Sequence, residues 1–445
     1  MGWPGAEARV VWTIFWINLL TIAVAFKKRM ILYALLNAIF LFLVTGQAFF
    51  IQGDLDRSPT TMYLLNFINE AGFNLALWYV FGVSCVFLAL AAISTGYRRY
   101  SHPAPDYSFA PGRFFYVFLF ALLCLISAVL ILVVVGTDEF LNSSRPGFQT
   151  GSTIFLVLLS LGLMPLLFKI IYKSHIGRGD VACFLVSFAV TGAMGRISAL
   201  YYLMMIFLAV YYTRGWADAP LTPKLIAKVL MFGGAAFVLF VGYGAIRGAQ
   251  GFTHGSLSDL IDYVERHPEN SVLSVEWNYR GDIEGMSGTA AALTQYVSEP
   301  NSVHYDYGAS WLLQGAIQWV PGVLKSYASS ISDLSAKLNW SPYSIVATGV
   351  ESFFMSFGWG AIIAFPVAVY LLAWRLPLRL QKKRLSPAAT YVSYVLLTWE
   401  MLFVRGPLTT WIAFCVSYSL IPLLFWPLFR RHFRRAESAD ILANT

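Results

Sequence analysis

The feature that most constrains this chain is a succession of apolar runs, each about as long as a bilayer core is thick. They fall at residues 10–26, 30–50, 73–95, 114–136, 152–172, 181–195, 197–213, 225–246, 350–374, 389–404 and 408–429. A hydrocarbon core of about 30 Å is crossed by roughly 20 helical residues, and backbone polar groups inside it have to be satisfied within the segment. The runs predict an all-α, polytopic integral membrane protein of about eleven transmembrane helices. Composition agrees: of 445 residues, 58% are hydrophobic and 12% charged, with mean hydropathy +0.63. Such a chain lies outside the soluble globular class.

The net charge of +8 would suit nucleic acid, but the basic residues cluster in alternate loops beside the apolar runs. These clusters are Lys27 to Arg29; Arg98, Arg99 and Arg113; Lys173 and Arg178; Arg214, Lys224 and Lys228; Arg375 to Arg384; and Arg430 to Arg435. The positive-inside rule places all of them in the cytoplasm if the N-terminus is outside and the C-terminus inside, a parity that eleven spans satisfy. The charge is topology, and no nucleic-acid partner is expected. Because the KKR cluster follows the first run, with no small-residue cleavage site, that run reads as an uncleaved helix. Four cysteines, all in or at predicted helices, predict no disulfide framework in the loops. The chain divides into helices one to eight (1–246), a large outer loop (247–349), helices nine to eleven (350–429) and a basic cytoplasmic tail (430–445).

Within that scheme the stretch from Val181 to Thr213 is anomalous. Its 33 residues contain one charge, Arg196, and would form a helix of roughly 50 Å, too long for one span and too short for two full ones. It predicts two short helices folded back at Gly192 to Gly195, with Arg196 at the outer surface.

The outer loop carries ten carboxylates and few bases, which argues against nucleic acid there. SLSDLIDYVERHP has a serine cap, apolar residues at helical spacing and a proline stop. TAAALTQYV and ASWLLQGAIQWVP predict two more helices, the second apolar enough to lie on or dip into the membrane. There is no phosphate-cradling glycine loop, no HExxH, no CxxC pair and no acidic metal-binding pair. An enzyme built on this chain is expected to need neither nucleotide nor metal cofactor. Arg178, Gly179 and Asp180 spell an integrin-type tripeptide in a cytoplasmic turn, read as chance.

Four arginines on the outer side of that topology are candidates for a site: Arg196, Arg247, Arg280 and Arg405. A guanidinium fork grips phosphate oxygens with two directed hydrogen bonds and stays charged at any physiological pH. One reading is a shared anionic site; the other is that each snorkels to headgroups or pairs with a local acid. Glu351, at the outer start of the ninth span, could serve as a general base if partly desolvated, or could simply be an acid favoured at a helix N-terminus. His304, beside Asp306, is a second base candidate or a surface residue. Glu400 is expected to orient Arg405 through an ion pair, and Lys169 to snorkel toward the inner surface. Aromatic residues crowd the loop, among them Tyr279, Tyr305 and Tyr307; they suit sugar stacking or an interfacial belt.

The order of these elements resembles a known family. TGAMGRISALYYLMMIFLAVY is similar to the TGxR-type hairpin of Wzy-type polysaccharide polymerases, with two extra residues before the arginine. Arg247 and Arg280 follow. YGASWLLQGAIQWVPGVL resembles the family's loop segment ending in a Val-Pro pair, SIVATGVESFFMSFGWGAI its serine-rich turn leading to a glutamate and an FGxxG helix start, and FVRGPLTTW its last outer turn. The likeness spans about residues 181–415. It implies a GT-C-like, metal-independent glycosyltransferase in the bacterial inner membrane. Such an enzyme moves a growing glycan from undecaprenyl pyrophosphate onto an undecaprenyl-pyrophosphate-linked oligosaccharide, working beside flippase and chain-length regulator proteins. On that resemblance the four arginines hold the pyrophosphate. Rival readings are an O-antigen ligase, a transporter of lipid-linked glycans and a non-catalytic scaffold. A transporter usually shows repeated halves and midplane charges, and neither is clear here.

Overall fold

The structure is a computed structural model. It describes residues 5–46, 70–95, 107–135, 148–194, 196–213, 285–298, 349–382, 385–405 and 408–435, together with single positions at 48, 222, 227 and 231. Helix dominates: α1 (Gly5–Lys27), α2 (Ile31–Phe40, continued by a π turn Leu41–Gly46), α3 (Glu70–Ile93), α4 (Arg113–Val135), α5 (Phe148–Leu159), α6 (Met164–Ile171), α7 (Arg178–Met194), α8 (Arg196–Thr213) and α9 (Gly285–Ser298). The C-terminal part holds α10 (Gly349–Phe357), α11 (Ala361–Tyr370), α12 (Leu376–Lys382), α13 (Pro387–Arg405), α14 (Leu408–Leu424) and α15 (Trp426–Arg430). Two short strands, β1 (Tyr107–Phe109) and β2 (Phe433–Arg435), pair antiparallel.

Helix covers nearly all of the apolar runs where they are described; of the run at 225–246 only Ala227 and Met231 are described. Among those residues, four helices are long and apolar enough to cross a membrane: Arg9–Lys27, Ala71–Ile93, Arg113–Leu132 and the composite Gly349–Arg379. A fifth is formed if Ile154–Gly162 and Met164–Ile171, bent by 45°, count as one span. Pro165, at the start of α6, lacks the N–H that would continue the ladder and accounts for that bend. Large apolar side chains such as Phe114, Val117, Leu125 and Leu132 on α4 are exposed, as a lipid-facing surface requires.

The chain forms two compact units, each assembled from separate stretches. The first comprises 1–98, 279–379 and 399–416; the second comprises 99–278, 380–398 and 417–445. In the first unit, buried polar groups join the helices. Asn18 Nδ2 donates to Ser84 Oγ at 2.9 Å and reaches Thr45 Oγ1 at 3.4 Å, and the Tyr33 hydroxyl donates to the Phe87 carbonyl at 2.9 Å. Interhelical hydrogen bonds of this kind hold apolar helices that have no hydrophobic drive to associate in lipid. Lys28 Nζ closes the C-terminal end of α3, donating to the carbonyls of Ala91, Ala92 and Ser94. A cation there satisfies orphan carbonyls and meets the negative end of the helix dipole.

α1 and α6 end alike. Arg29 takes a left-handed φ of 60°, while Met30 N–H bonds the Ala25 carbonyl at 2.8 Å and Arg29 N–H that of Phe26 at 2.9 Å. Lys173 takes φ 53°, with Ser174 N–H on the Lys169 carbonyl and Lys173 N–H on that of Ile170. Both are Schellman closures, with a basic residue where glycine is the usual choice.

In the second unit, β1 and β2 align Tyr107 with Arg435, Ser108 with Arg434 and Phe109 with Phe433. Around this ribbon Phe109, Phe115, Phe168, Phe429 and Phe433 pack ring against ring; Phe109 and Phe433 centroids are 4.9 Å apart. His432 meets Phe115 edge-on at 4.6 Å. The start of the basic tail is thus folded onto the helix ends; residues 436–445 lie outside the described set.

Lys169, expected to snorkel, is instead ion-paired. Its Nζ lies 2.9 Å from Asp180 Oδ2, with 11% and 0% of the side chains exposed. Asp180 also accepts from the Tyr116 hydroxyl at 2.6 Å and from Gly177 N–H at 2.7 Å. The Arg-Gly-Asp tripeptide is therefore structural: its aspartate is buried, and its glycine lies under Tyr116, whose Cγ would be 2.7 Å from an added Cβ.

Candidate functional site

The predicted fold-back within 181–213 is present. α7 ends at Met194 and α8 begins at Arg196. The Phe188 and Tyr202 rings, equidistant in sequence from Gly195, stand 6.4 Å apart, so the helices lie side by side as a hairpin. Phe184 stacks on Phe188 and also reaches Tyr202. Arg196 is the first helical residue after the reversal.

A second hairpin holds Arg405. α13 ends there, and α14 starts at Leu408. Trp399 stacks on Phe414 at 4.5 Å, and Phe403 meets Trp411 at 5.1 Å, two pairs that straddle Gly406 and Pro407. The sequence between the two helices is Gly-Pro, a dipeptide that does not continue a helix. Both arginines are thus backbone-placed at helix reversals; the positions of their side chains lie outside the described residues. Five residues before Arg405, Glu400 is fully buried, and neither of its oxygens has a hydrogen-bond partner among the described residues. The ion pair expected between Glu400 and Arg405 involves the Arg405 side chain, which lies outside the described residues.

Glu351 is not half-desolvated at a boundary, as the sequence led one to expect, but fully buried in the first turn of α10. What covers it is α9, the helix predicted from TAAALTQYV in the outer loop. An added Cβ on Gly288 would fall 2.5 Å from Glu351 Oε1 and 2.9 Å from Oε2, and Thr289 Oγ1 lies 3.4 Å from Oε1. The Tyr79 hydroxyl donates to the adjacent Val350 carbonyl at 3.1 Å. The run of small residues in GMSGTAAAL was a legible signal for this close approach, since Gly, Ala, Ser and Thr let helix backbones meet.

Arg247, Arg280, His304, Tyr279, Tyr305 and Tyr307 lie outside the described residues, as does the predicted helix ASWLLQGAIQWVP. Of the site expected from the sequence, the described part is therefore Glu351 with its surroundings and the backbone positions of Arg196 and Arg405. Among the described residues there is no group of three or more His, Cys, Asp or Glu placed to hold a metal ion. No family model, curated protein or solved structure matches the chain.

Proposed function

We propose that this protein is a membrane-embedded glycosyltransferase that polymerises lipid-linked oligosaccharide repeat units. In this reading the chain has about eleven spans in a GT-C-like arrangement, lies in the bacterial inner membrane, and has its N-terminus periplasmic and its C-terminus cytoplasmic. The donor is a glycan on undecaprenyl pyrophosphate, and the acceptor is the terminal sugar of another lipid-linked repeat unit.

The observation that supports the reading is the placement of Arg196 and Arg405, each at the reversal of a hairpin of apolar helices. An arginine at a reversal, unlike one in mid-span, can meet a phosphate held at headgroup depth. Arg196, Arg247, Arg280 and Arg405 would bind the donor pyrophosphate and stabilise the charge that grows on it as the glycosidic bond breaks. Glu351 and His304 remain the two candidates for removing the acceptor hydroxyl proton. The burial of Glu351 beneath α9 favours His304, since a base has to reach the proton it takes. Tyr279, Tyr305 and Tyr307 would stack on sugar rings.

The test is purified protein incubated with a defined lipid-linked repeat unit, read as a ladder of polymer lengths. Arg196→Ala and Arg405→Ala, at matched expression, should each lower the rate about a hundredfold to a thousandfold, as loss of one charge-stabilising donor does. Unchanged ladders from both variants would refute the proposal. Transfer to a lipid A core acceptor without polymer would replace it with a ligase.

A further inference from the structure

α9 belongs to the outer loop in sequence, yet it is built into the first unit at three points. At its N-terminal turn, Gly288 lies against the Glu351 carboxyl group. On the side facing α3, Gly72 meets the Thr294 backbone so closely that an added Cβ would fall 2.5 Å from its Cα and 2.6 Å from its N. Near its C-terminal end, the Tyr296 ring sits 5.9 Å from Phe354 and 6.4 Å from Trp359, in a cluster that Tyr79 completes from α3. The pairs Gly288 with Glu351 and Tyr296 with Trp359 have the same separation in sequence, so α9 runs alongside the start of the 349–379 span in the same direction. Thr289, Ala290, Ala292, Leu293 and Thr294 are buried along it.

We infer that Glu351 is a positioning residue: its carboxyl group is the seat on which Gly288 docks α9, and this docking anchors the outer loop to the membrane bundle. Three physical facts support the assignment. A Cβ at position 288 would fall within 2.9 Å of the carboxyl atoms of fully buried Glu351, so a side chain there forces either that carboxyl group or α9 to shift. A carboxylate beside the first turn of a helix meets exposed N–H groups and the positive end of the helix dipole. Removing the carboxyl group would leave a cavity under α9 in place of a support.

The consequence for the loop is a tether. Arg280 is five positions before the first residue of α9, and His304 is six after its last. At no more than about 3.6 Å per residue, both stay within roughly 20 Å of the docked helix ends. In the polymerase reading, on which this last step alone rests, docking of α9 limits how far a phosphate ligand and a base can range from its ends.

Hydrogen exchange of the full-length protein in detergent tests the seat directly. In the parent protein, amides across 288–296 should be protected. Gly288→Ala should speed their exchange at least tenfold while leaving α4 unchanged, and adding Glu351→Asp, which withdraws the carboxyl group by one methylene, should restore protection. Equal protection in Gly288→Ala, or no recovery in the double variant, would overturn the inference. If Gly288→Ala does not accumulate, Glu351→Ala carries the same test through the same amides: faster exchange supports the seat and unchanged exchange removes it. Polymer assays on the same variants separate the two proposals. Loosened exchange with an unchanged ladder leaves the seat standing and removes the tether from the catalytic account.

Discussion

Lys169 and Asp180 form an ion pair of 2.9 Å between α6 and α7, with the carboxylate fully buried and the ammonium nearly so. The Lys169 ammonium also lies 5.6 Å from the centre of the Tyr116 ring. The pair joins three helices, since Tyr116 of α4 donates to the same carboxylate.

Breaking that pair from one side should be costly. Lys169→Met leaves Asp180 buried without its counter-ion, and a loss of about 3–5 kcal/mol is expected, as for other buried pairs stripped of one partner. The double variant Lys169→Met with Asp180→Asn should lose clearly less. Detergent thermal or denaturant unfolding of the three variants would measure the non-additivity; additive losses would mean that the pair does not act as a unit.

Gly162→Ala should destabilise the second unit. The added methyl would lie 2.6 Å from the Cys183 carbonyl oxygen and 2.9 Å from Leu123 Cδ1, and would also press on Ser187 Oγ. Backbone on one side cannot yield, so overpacking of about 1–3 kcal/mol is expected. Ser187→Gly in the same chain should recover only part of it, and full recovery would show that the carbonyl contact costs nothing.

Lys173→Gly should stabilise the protein slightly. Its φ of 53° is left-handed, which disfavours a residue with a Cβ. Relief of that strain, set against the greater freedom glycine has when unfolded, should net about 0.5–1 kcal/mol. A lower melting temperature for Lys173→Gly would mean that the lysine side chain makes a compensating contact.

His432 ties stability to pH. Burial among aromatic rings, and then the charge of neighbouring Arg431, lower its pKa below the ordinary 6.5. The folded protein thus binds this proton more weakly than the unfolded chain does. The stability contribution of neutral His432 is complete above about pH 6.5 and is lost as pH falls through the folded-state value. His432→Phe should therefore flatten the change in melting temperature between pH 7.5 and pH 5; an unaltered slope would assign that change to other groups.

Arg196→Lys and Arg405→Lys separate a bidentate phosphate contact from a mere need for positive charge. Lysine keeps the charge but not the planar fork. Under the proposed function both variants should recover little of the rate lost on alanine substitution, while folding remains normal. Recovery to the parent rate would reduce these arginines to general electrostatics.

Much of the helical scaffold was legible because a bilayer demands long uninterrupted apolar segments and local sequence alone states them. The reversals between α7 and α8 and between α13 and α14 were legible for the same local reason, through the lengths of the apolar runs. The helix at TAAALTQYV could also be read, but not where it packs. The partner of Lys169 was missed because Asp180 stood in what looked like an exposed turn, and only the folding of α6 against α7 brings the two together. The β1 and β2 ribbon was missed because its strands are three residues each, separated by most of the chain, with no alternation long enough to register.

The sequence by itself determined that this is a helical chain with several segments long and apolar enough to cross a membrane, and that the stretch 181–213 folds back on itself. These properties depend on hydropathy and on glycine and proline at short range. The tertiary structure alone decided which acid neutralises Lys169 and what the helix Gly285–Ser298 packs against. Asp180 holds Lys169, whereas Glu400 has no hydrogen-bond partner among the described residues. Glu351 became the floor beneath Gly288. Such outcomes depend on how closely two backbones approach in space, a quantity that residue spacing along one chain does not encode.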